Sequence, residues 1–386
     1  MNILIKSAKI IDPNSKYHKK IMDVFIKNGK IKRIERFIAD TSIQEKNIKE
    51  YSAKNLHLSP GWFDLHANFG EPGYEQRETL DTGSNAALKG GFTGVMVMPN
   101  TNPNIDNKGI VEYIQSATKN NIIDVIPAGN ITKRGKGEEI VEMHDMHRVG
   151  CKAFTDDKKS VSKNNVMKIA LLYSKDTDIL IMNYPSDKEI ASNGCMHEGI
   201  TSTLLGIKGI PALAEEMMVD RDLSLCEYTN SRIHLSYIST RNSVKKIREA
   251  KKKKLEVTTD VAVHNLFLTD ESINSFDTRY KVMPPLRTNK DINALVKALK
   301  DGTIDVICTD HSPINDEDKK IDFDSAANGI IGLETAFGTL GKYILPKIDL
   351  STLIEKIAIN PRKILKIKEA VINEGEDANL TLFDPN

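Results

Sequence analysis

Eight short apolar runs, separated by longer amphipathic stretches, restrict this 386-residue chain more than any other feature of its sequence. They cover residues 62–66, 95–98, 122–126, 151–155, 179–182, 233–238, 255–259 and 304–309. Each is rich in Val, Ile or Leu, as a parallel strand covered on both faces must be. Helical stretches such as 242–252 and 290–300 intervene. This alternation predicts an α/β fold, a (β/α)8 TIM-like barrel. The two chain ends read differently. Residues 24–26 and 31–34 flank Lys27-Asn28-Gly29-Lys30. Asn-Gly between such runs signals a hairpin, because both residues tolerate positive φ. Residues 378–383 read as one more strand. The expected organisation is a small β-sandwich unit built from 1–55 with 366–386, and a barrel over 56–365.

Charge and cysteine usage narrow the function classes. Lys and Arg number 54 against 53 Asp and Glu, a net charge of +1. That balance offers no electrostatic footprint for nucleic acid or an anionic membrane. Lys251 to Lys254 read as a solvated helix end. Cys151, Cys195, Cys226 and Cys308 show no C-x-x-C spacing, so neither a zinc knuckle nor a disulfide framework is expected. Residues 1–12 alternate and carry no signal-peptide core. No apolar run approaches the ~20 residues that span a bilayer. The expected compartment is the cytoplasm.

In a barrel of this type the chemistry sits where the strands end. The strand ends carry Asp64-Leu65-His66-Ala67-Asn68, Met98-Pro99-Asn100, Thr155-Asp156-Asp157, Met182-Asn183-Tyr184, Ser236-Tyr237 and Thr309-Asp310-His311. One imidazole and two carboxylates, His66, Asp156 and Asp310, suit zinc or manganese. Asp310 is the candidate general base toward a metal-bound water. His144 and His147 read as a polar helix face. Cys308 reads as a buried strand residue.

Several blocks carry a family resemblance. They include Pro60-Gly61-Trp62-Phe63-Asp64-Leu65-His66, Glu71-Pro72-Gly73, Gly90-Gly91-Phe92-Thr93 and Met98-Pro99-Asn100-Thr101-Asn102-Pro103. Further along come Pro284-Pro285-Leu286-Arg287, Asp301-Gly302-Thr303-Ile304-Asp305, Thr309-Asp310-His311 and Gly329-Ile330-Ile331-Gly332-Leu333-Glu334-Thr335. In this order they resemble the dihydroorotases of the amidohydrolase superfamily, above all the bacterial type that assembles with aspartate carbamoyltransferase. The Pro-Pro-Leu-Arg and Gly-Ile-Ile-Gly-Leu-Glu-Thr blocks resemble this family more than allantoinases or hydantoinases. The resemblance implies interconversion of carbamoyl aspartate and dihydroorotate at a two-metal centre.

The same resemblance exposes departures. Three positions of metal-binding histidines hold Asn68, Asn183 and Tyr237. Gly70, Met283 and Ile314 stand where the family places substrate-binding groups, so those roles are lost. His66, Asp156, Asp310 and the substrate-facing Asn100 survive. Lys152 lies where related amidohydrolases carry a carboxylated lysine, and here reads as a surface cation. His234, His264 and His311 align with family positions outside the metal set and are expected to hydrogen-bond within the barrel. The expectation is a noncatalytic homologue in which Asp310 is a vestigial general base. No cofactor is expected, or else one zinc held weakly by His66, Asp156 and Asp310. The expected partners are aspartate carbamoyltransferase or an active dihydroorotase, and the chain is expected to be a homo-oligomer. The alternative is an active dihydroorotase, or a related cyclic amidase, using that single metal. Because the chain stops at Asn386, the terminal unit is expected to be smaller than the family's usual one.

Overall fold

The computed structural model describes residues 2–39, 45, 47–177 and 179–386. Of the expected 1–55 unit, Met1, 40–44 and 46 lie outside the described residues, as does residue 178 further on. Near the N-terminus, β1 (Asn2–Ile10), β2 (Ile21–Lys27) and β3 (Lys30–Glu35) form an antiparallel ribbon. Asn28 and Gly29 turn it with φ of 52° and 74°, the left-handed geometry that Asn-Gly adopts readily. Then β4 (Ile48–Tyr51) and β5 (His57–Pro60) run parallel to β1.

The barrel strands follow: β6 (Trp62–Ala67), β7 (Phe92–Val97), β8 (Asp124–Pro127), β9 (Ala153–Phe154) and β10 (Leu180–Asn183). After a separate two-stranded ladder of β11 (Met196–His197) and β12 (Gly209–Ile210) come β13 (Ile233–Leu235), β14 (Val257–Ala262) and β15 (Val306–Cys308). These are the eight runs read from the sequence. They pair in two parallel ladders, β6-β7-β8 and β9-β10-β13-β14-β15. Parallel bridges from Gly129 to Phe154 and from Ala67 to His311 join the ladders at both seams. The sheet therefore closes into a (β/α)8 barrel. Finally β16 (Leu380–Phe383) returns to pair with β5, so one six-stranded sheet holds both chain ends.

The strand period of two explains the packing. Phe63, Leu65, Met96, Leu180 and Met182 meet in one buried cluster. Their neighbours Val95, Val97 and Ile181 belong to a second cluster, with Val111, Ile114 and Leu171 of the surrounding helices. The helices Arg241–Lys252 and Asn289–Lys300 begin within a residue of their expected starts, each behind a threonine cap. Asp64 fastens the second seam, accepting hydrogen bonds from the backbone N–H of Thr309 at 2.8 Å and its hydroxyl at 2.5 Å.

Trp62 couples the barrel to the terminal sheet. Its ring stacks on Phe337 at 4.5 Å and meets Phe383 of β16 at 5.5 Å. Its indole N–H donates to Ser59 at 3.0 Å. Trp62→Ala is expected to cost about 3–5 kcal/mol, because a buried ring with three aromatic neighbours is lost and a cavity is left. Denaturant unfolding measures it, and a loss below about 1 kcal/mol would show that the two units are coupled elsewhere.

Candidate functional site

The strand ends surround a cleft of about 360 Å³ whose lining includes Asn68, Gly70, Asn100, Lys158, Met283 and Ile314. At this mouth Asp157, Tyr237 and Asp310 have φ of 50°, 57° and 52°. For residues with a β-carbon that backbone is costly, and it persists only where surrounding contacts over-determine it.

One buried carboxylate organises the floor. Asp260, on β14, accepts from His66 Nε2 at 2.5 Å and His234 Nε2 at 2.7 Å through Oδ2. Its Oδ1 accepts from the backbone N–H of Tyr237 at 2.7 Å and lies 3.6 Å from Cys308 Sγ. Burial opposes ionisation of Asp260, yet the charge of His66 and the two histidine hydrogen bonds outweigh it and hold the carboxyl below its usual range. His66 responds in the opposite sense. Burial pulls its imidazole down, and Asp260 more than restores it, leaving the ring above its ordinary value. His66 thus tends toward an imidazolium whose Nε2 proton points at Asp260, while Nδ1 lies 3.3 Å from Met98 Sδ. His66, Asp260 and Cys308 are the one group of three such side chains, among the described residues, whose ligand atoms lie within 4.8 Å of one another. A metal there would need the lone pair that His66 turns to Asp260 and a thiolate at Cys308. Burial, followed by the nearby acids, pushes that thiol well above its usual range.

A second ion pair occupies the rim. Lys158 Nζ lies 2.7 Å from Asp310 Oδ1 and 2.8 Å from Oδ2. Burial raises the Asp310 carboxyl to about 6, with Lys158 opposing the rise. His264 Nε2 lies 3.8 Å from Asp310 Oδ2 and has no hydrogen-bond partner. Burial, then the charge of Lys158, pushes His264 down to about 3, so it is neutral. The Tyr237 ring sits 4.2 Å from the His66 ring, and its hydroxyl donates to Asp157 Oδ1 at 3.2 Å.

The trio expected from the sequence is not brought together. His66, Asp156 and Asp310 do not gather their ligand atoms within 4.8 Å. The Asp156 carboxylate turns instead into the 130–132 segment. It accepts from Asn130 Nδ2 at 3.1 Å, from the N–H groups of Ile131 and Thr132 at 3.0 Å, and from the Thr132 hydroxyl. Both acids border the cleft, and it is the neighbour Asp157 that accepts from the Tyr237 hydroxyl. The substituted positions are also engaged. Asn68 donates to Ser312 at 2.9 Å. Asn183 accepts from the Val161 N–H at 3.3 Å and donates to Asp222 at 2.7 Å. Met283 packs against Tyr184, Tyr237, Ala262 and Cys308. A β-carbon at Gly70 would stand 2.1 Å from the Tyr74 carbonyl oxygen, so no side chain fits this backbone. Asn100 is exposed at the cleft.

The remaining histidines serve the scaffold. His311 pairs with Glu78 at 2.9 Å and accepts from the N–H groups of Gly332 and Leu333. His234 Nδ1 meets the Thr258 hydroxyl at 2.8 Å. His144 and His147 bond to the carbonyls of Tyr173 and Cys151. Lys152 precedes β9, at the strand end opposite Asp157. Sequence reasoning missed Asp157, Lys158 and Asp260. Asp260 had a signal, since an acid inside a buried strand requires partners.

Comparison with known proteins places the chain. The family model "Dihydro-orotase-like" matches residues 56–243. A dihydroorotase of Pelotomaculum thermopropionicum is 42% identical over 389 residues, covering 100% of this chain and 90% of that protein. One from Thermoanaerobacter sp. is also 42% identical, covering 100% and 88%. Among solved structures, an L-hydantoinase (dihydropyrimidinase) from Arthrobacter aurescens matches with TM-score 0.82 at 19% identity, over 98% of this chain and 86% of that one. A dihydropyrimidinase from Brevibacillus agri matches at 0.80 and 20%, over 100% and 86%. The two structures share the barrel fold, and the two sequence relatives supply the family: the chain belongs to the dihydroorotases.

Proposed function

We propose that this chain is a noncatalytic dihydroorotase homologue, acting in the cytoplasm as a structural partner of aspartate carbamoyltransferase or of an active dihydroorotase, and itself a homo-oligomer. One observation carries the reading: apart from His264, whose Nε2 has no hydrogen-bond partner, the ionisable groups of the mouth are bound to one another. Asp260 holds His66 and His234, and Asp310 holds Lys158. A general base must have its lone pair free for the proton it takes; Lys158 donates to Asp310 Oδ2 at 2.8 Å and its charge stands 2.7 Å from Oδ1, which accepts no hydrogen bond. Substrate recognition is weakened in parallel. A guanidinium paired with a carboxylate is among the strongest hydrogen-bonded contacts, and Gly70 leaves no room for any side chain.

A second reading has one observation in its favour. The Asp310 carboxyl, raised to about 6, is close to the value that suits a base near neutral pH, and it stands beside an open cleft that keeps Asn100. That reading is an active dihydroorotase, or a related cyclic amidase, working from a single metal.

Three measurements separate these readings. Protein purified without chelator is expected to convert neither dihydroorotate nor carbamoyl aspartate and to carry substoichiometric zinc. One zinc per chain, with turnover abolished by Asp310→Asn, would establish the second reading instead. On co-expression with aspartate carbamoyltransferase and an active dihydroorotase, size-exclusion chromatography is expected to show a complex with one of them; migration apart from both would end the partner role. A floor that is structural also predicts that Asp260→Ala destabilises by about 3–5 kcal/mol, since His66 loses its buried counter-charge. Unfolding within about 1 kcal/mol of wild type would contradict that.

A further inference from the structure

We propose that the Lys158 ammonium is a built-in cation that stands in for metal charge at the barrel mouth and keeps divalent ions out. The inference rests on the mouth being the family's metal site, as the proposed function does, but it concerns what fills that site.

Lys158 follows Asp157, whose backbone is left-handed. Its ammonium touches both oxygens of Asp310 and lies 5.2 Å from the centroid of the Tyr237 ring. The Lys158 side chain is 18% exposed and that of Asp310 is 1% exposed. A lysine held between a buried carboxylate and an aromatic face, largely out of water, is not a freely solvated surface cation.

Charge balance gives the reason. Asp157 and Asp310 are both buried at the rim, and a buried carboxylate is stable only with a counter-charge or full hydrogen bonding. The other candidates for that charge are committed or absent. His66 is turned to Asp260, His311 to Glu78, and His264 Nε2 stands 3.8 Å from Asp310 Oδ2, outside hydrogen-bond reach. Lys158 is therefore the cation in contact with Asp310. A divalent ion at Asp310 would have to enter beside this ammonium, against like-charge repulsion in a poorly solvated site.

The donors around the rim fit the same account. Tyr237 offers a protonated phenol that donates to Asp157, and the amides of Asn68 and Asn183 donate to Ser312 and Asp222. Each of these three groups gives a hydrogen bond to the protein. An ammonium also has no open coordination position, so it can balance charge without activating a water molecule. The unpartnered Nε2 of His264, facing Asp310, is what remains if Lys158 is withdrawn. With Asp310 it would offer one imidazole and one carboxylate, 3.8 Å apart, donor types that zinc accepts.

Equilibrium dialysis and thermal unfolding with added zinc test the proposal on the full chain, using wild type, Lys158→Gly, Lys158→Met and Lys158→Arg. Wild type and Lys158→Arg are expected to be indifferent to zinc. Lys158→Gly is expected to bind zinc about tenfold or more tighter than wild type and to melt higher in its presence. Lys158→Met keeps the stem and removes the charge, so it should melt below wild type without zinc and serves if the glycine variant does not fold. Stoichiometric zinc on the wild type would overturn the proposal. So would zinc indifference of both uncharged variants. Zinc on the wild type without turnover would sink this inference alone, whereas turnover without zinc would sink only the noncatalytic reading.

Discussion

A single buried carboxylate, Asp260, sets the arrangement of the barrel mouth. It belongs to β14, yet it binds His66 of β6 two strands around the barrel, His234 of β13 beside it, and the backbone of Tyr237. An ionised carboxylate with no access to water must have its oxygens satisfied, and here two imidazoles and an amide do so. Once His66 donates to Asp260, its Nε2 is turned to the floor and away from the rim. Once the Tyr237 backbone is fixed with φ of 57°, its ring lies against His66 and its hydroxyl reaches Asp157. The rim is thus shaped from the floor.

Two ion pairs divide the charge that would otherwise collect at one metal centre. His66 and Asp260 balance on the floor, and Lys158 and Asp310 balance on the rim. The difference between them lies in access. The floor pair is sealed, whereas the rim pair borders the cleft. A buried pair that loses one member leaves an uncompensated charge. Drift at Lys158 or Asp260 is therefore opposed by stability.

Much of the fold was legible because strand burial leaves a strong trace. All eight apolar runs became barrel strands, and the Asn28-Gly29 turn formed where the hairpin signal stood. The site was less legible, for physical reasons. Asp156 and Asp157 are adjacent acids, and neighbours on extended chain point to opposite faces. Here Asp157 is left-handed rather than extended, a turn that composition does not announce. Gly70 read as a lost side chain, but the backbone itself approaches Tyr74 too closely for any side chain. Lys158 passed unnoticed because a lysine after a strand usually ends in solvent; only the distance to Asp310 distinguishes it.

The blocks that resemble dihydroorotases turn out to hold the scaffold. Asp64 ties β6 to Thr309, and Trp62 joins the barrel to the terminal sheet. Glu71 accepts from the Leu80 N–H at the start of a helix and from the Tyr113 hydroxyl. Arg287, in the Pro-Pro-Leu-Arg block, bonds to Ser239 and to the Ile210 carbonyl. These contacts would be selected in any chain that keeps the barrel, with or without catalysis. Identity of 42% over the whole length spans these scaffold contacts. Activity depends on a few side chains at the strand ends, and there the hydrogen bonds of Asn68, Asn183, Tyr237 and Lys158 all run inward to the protein.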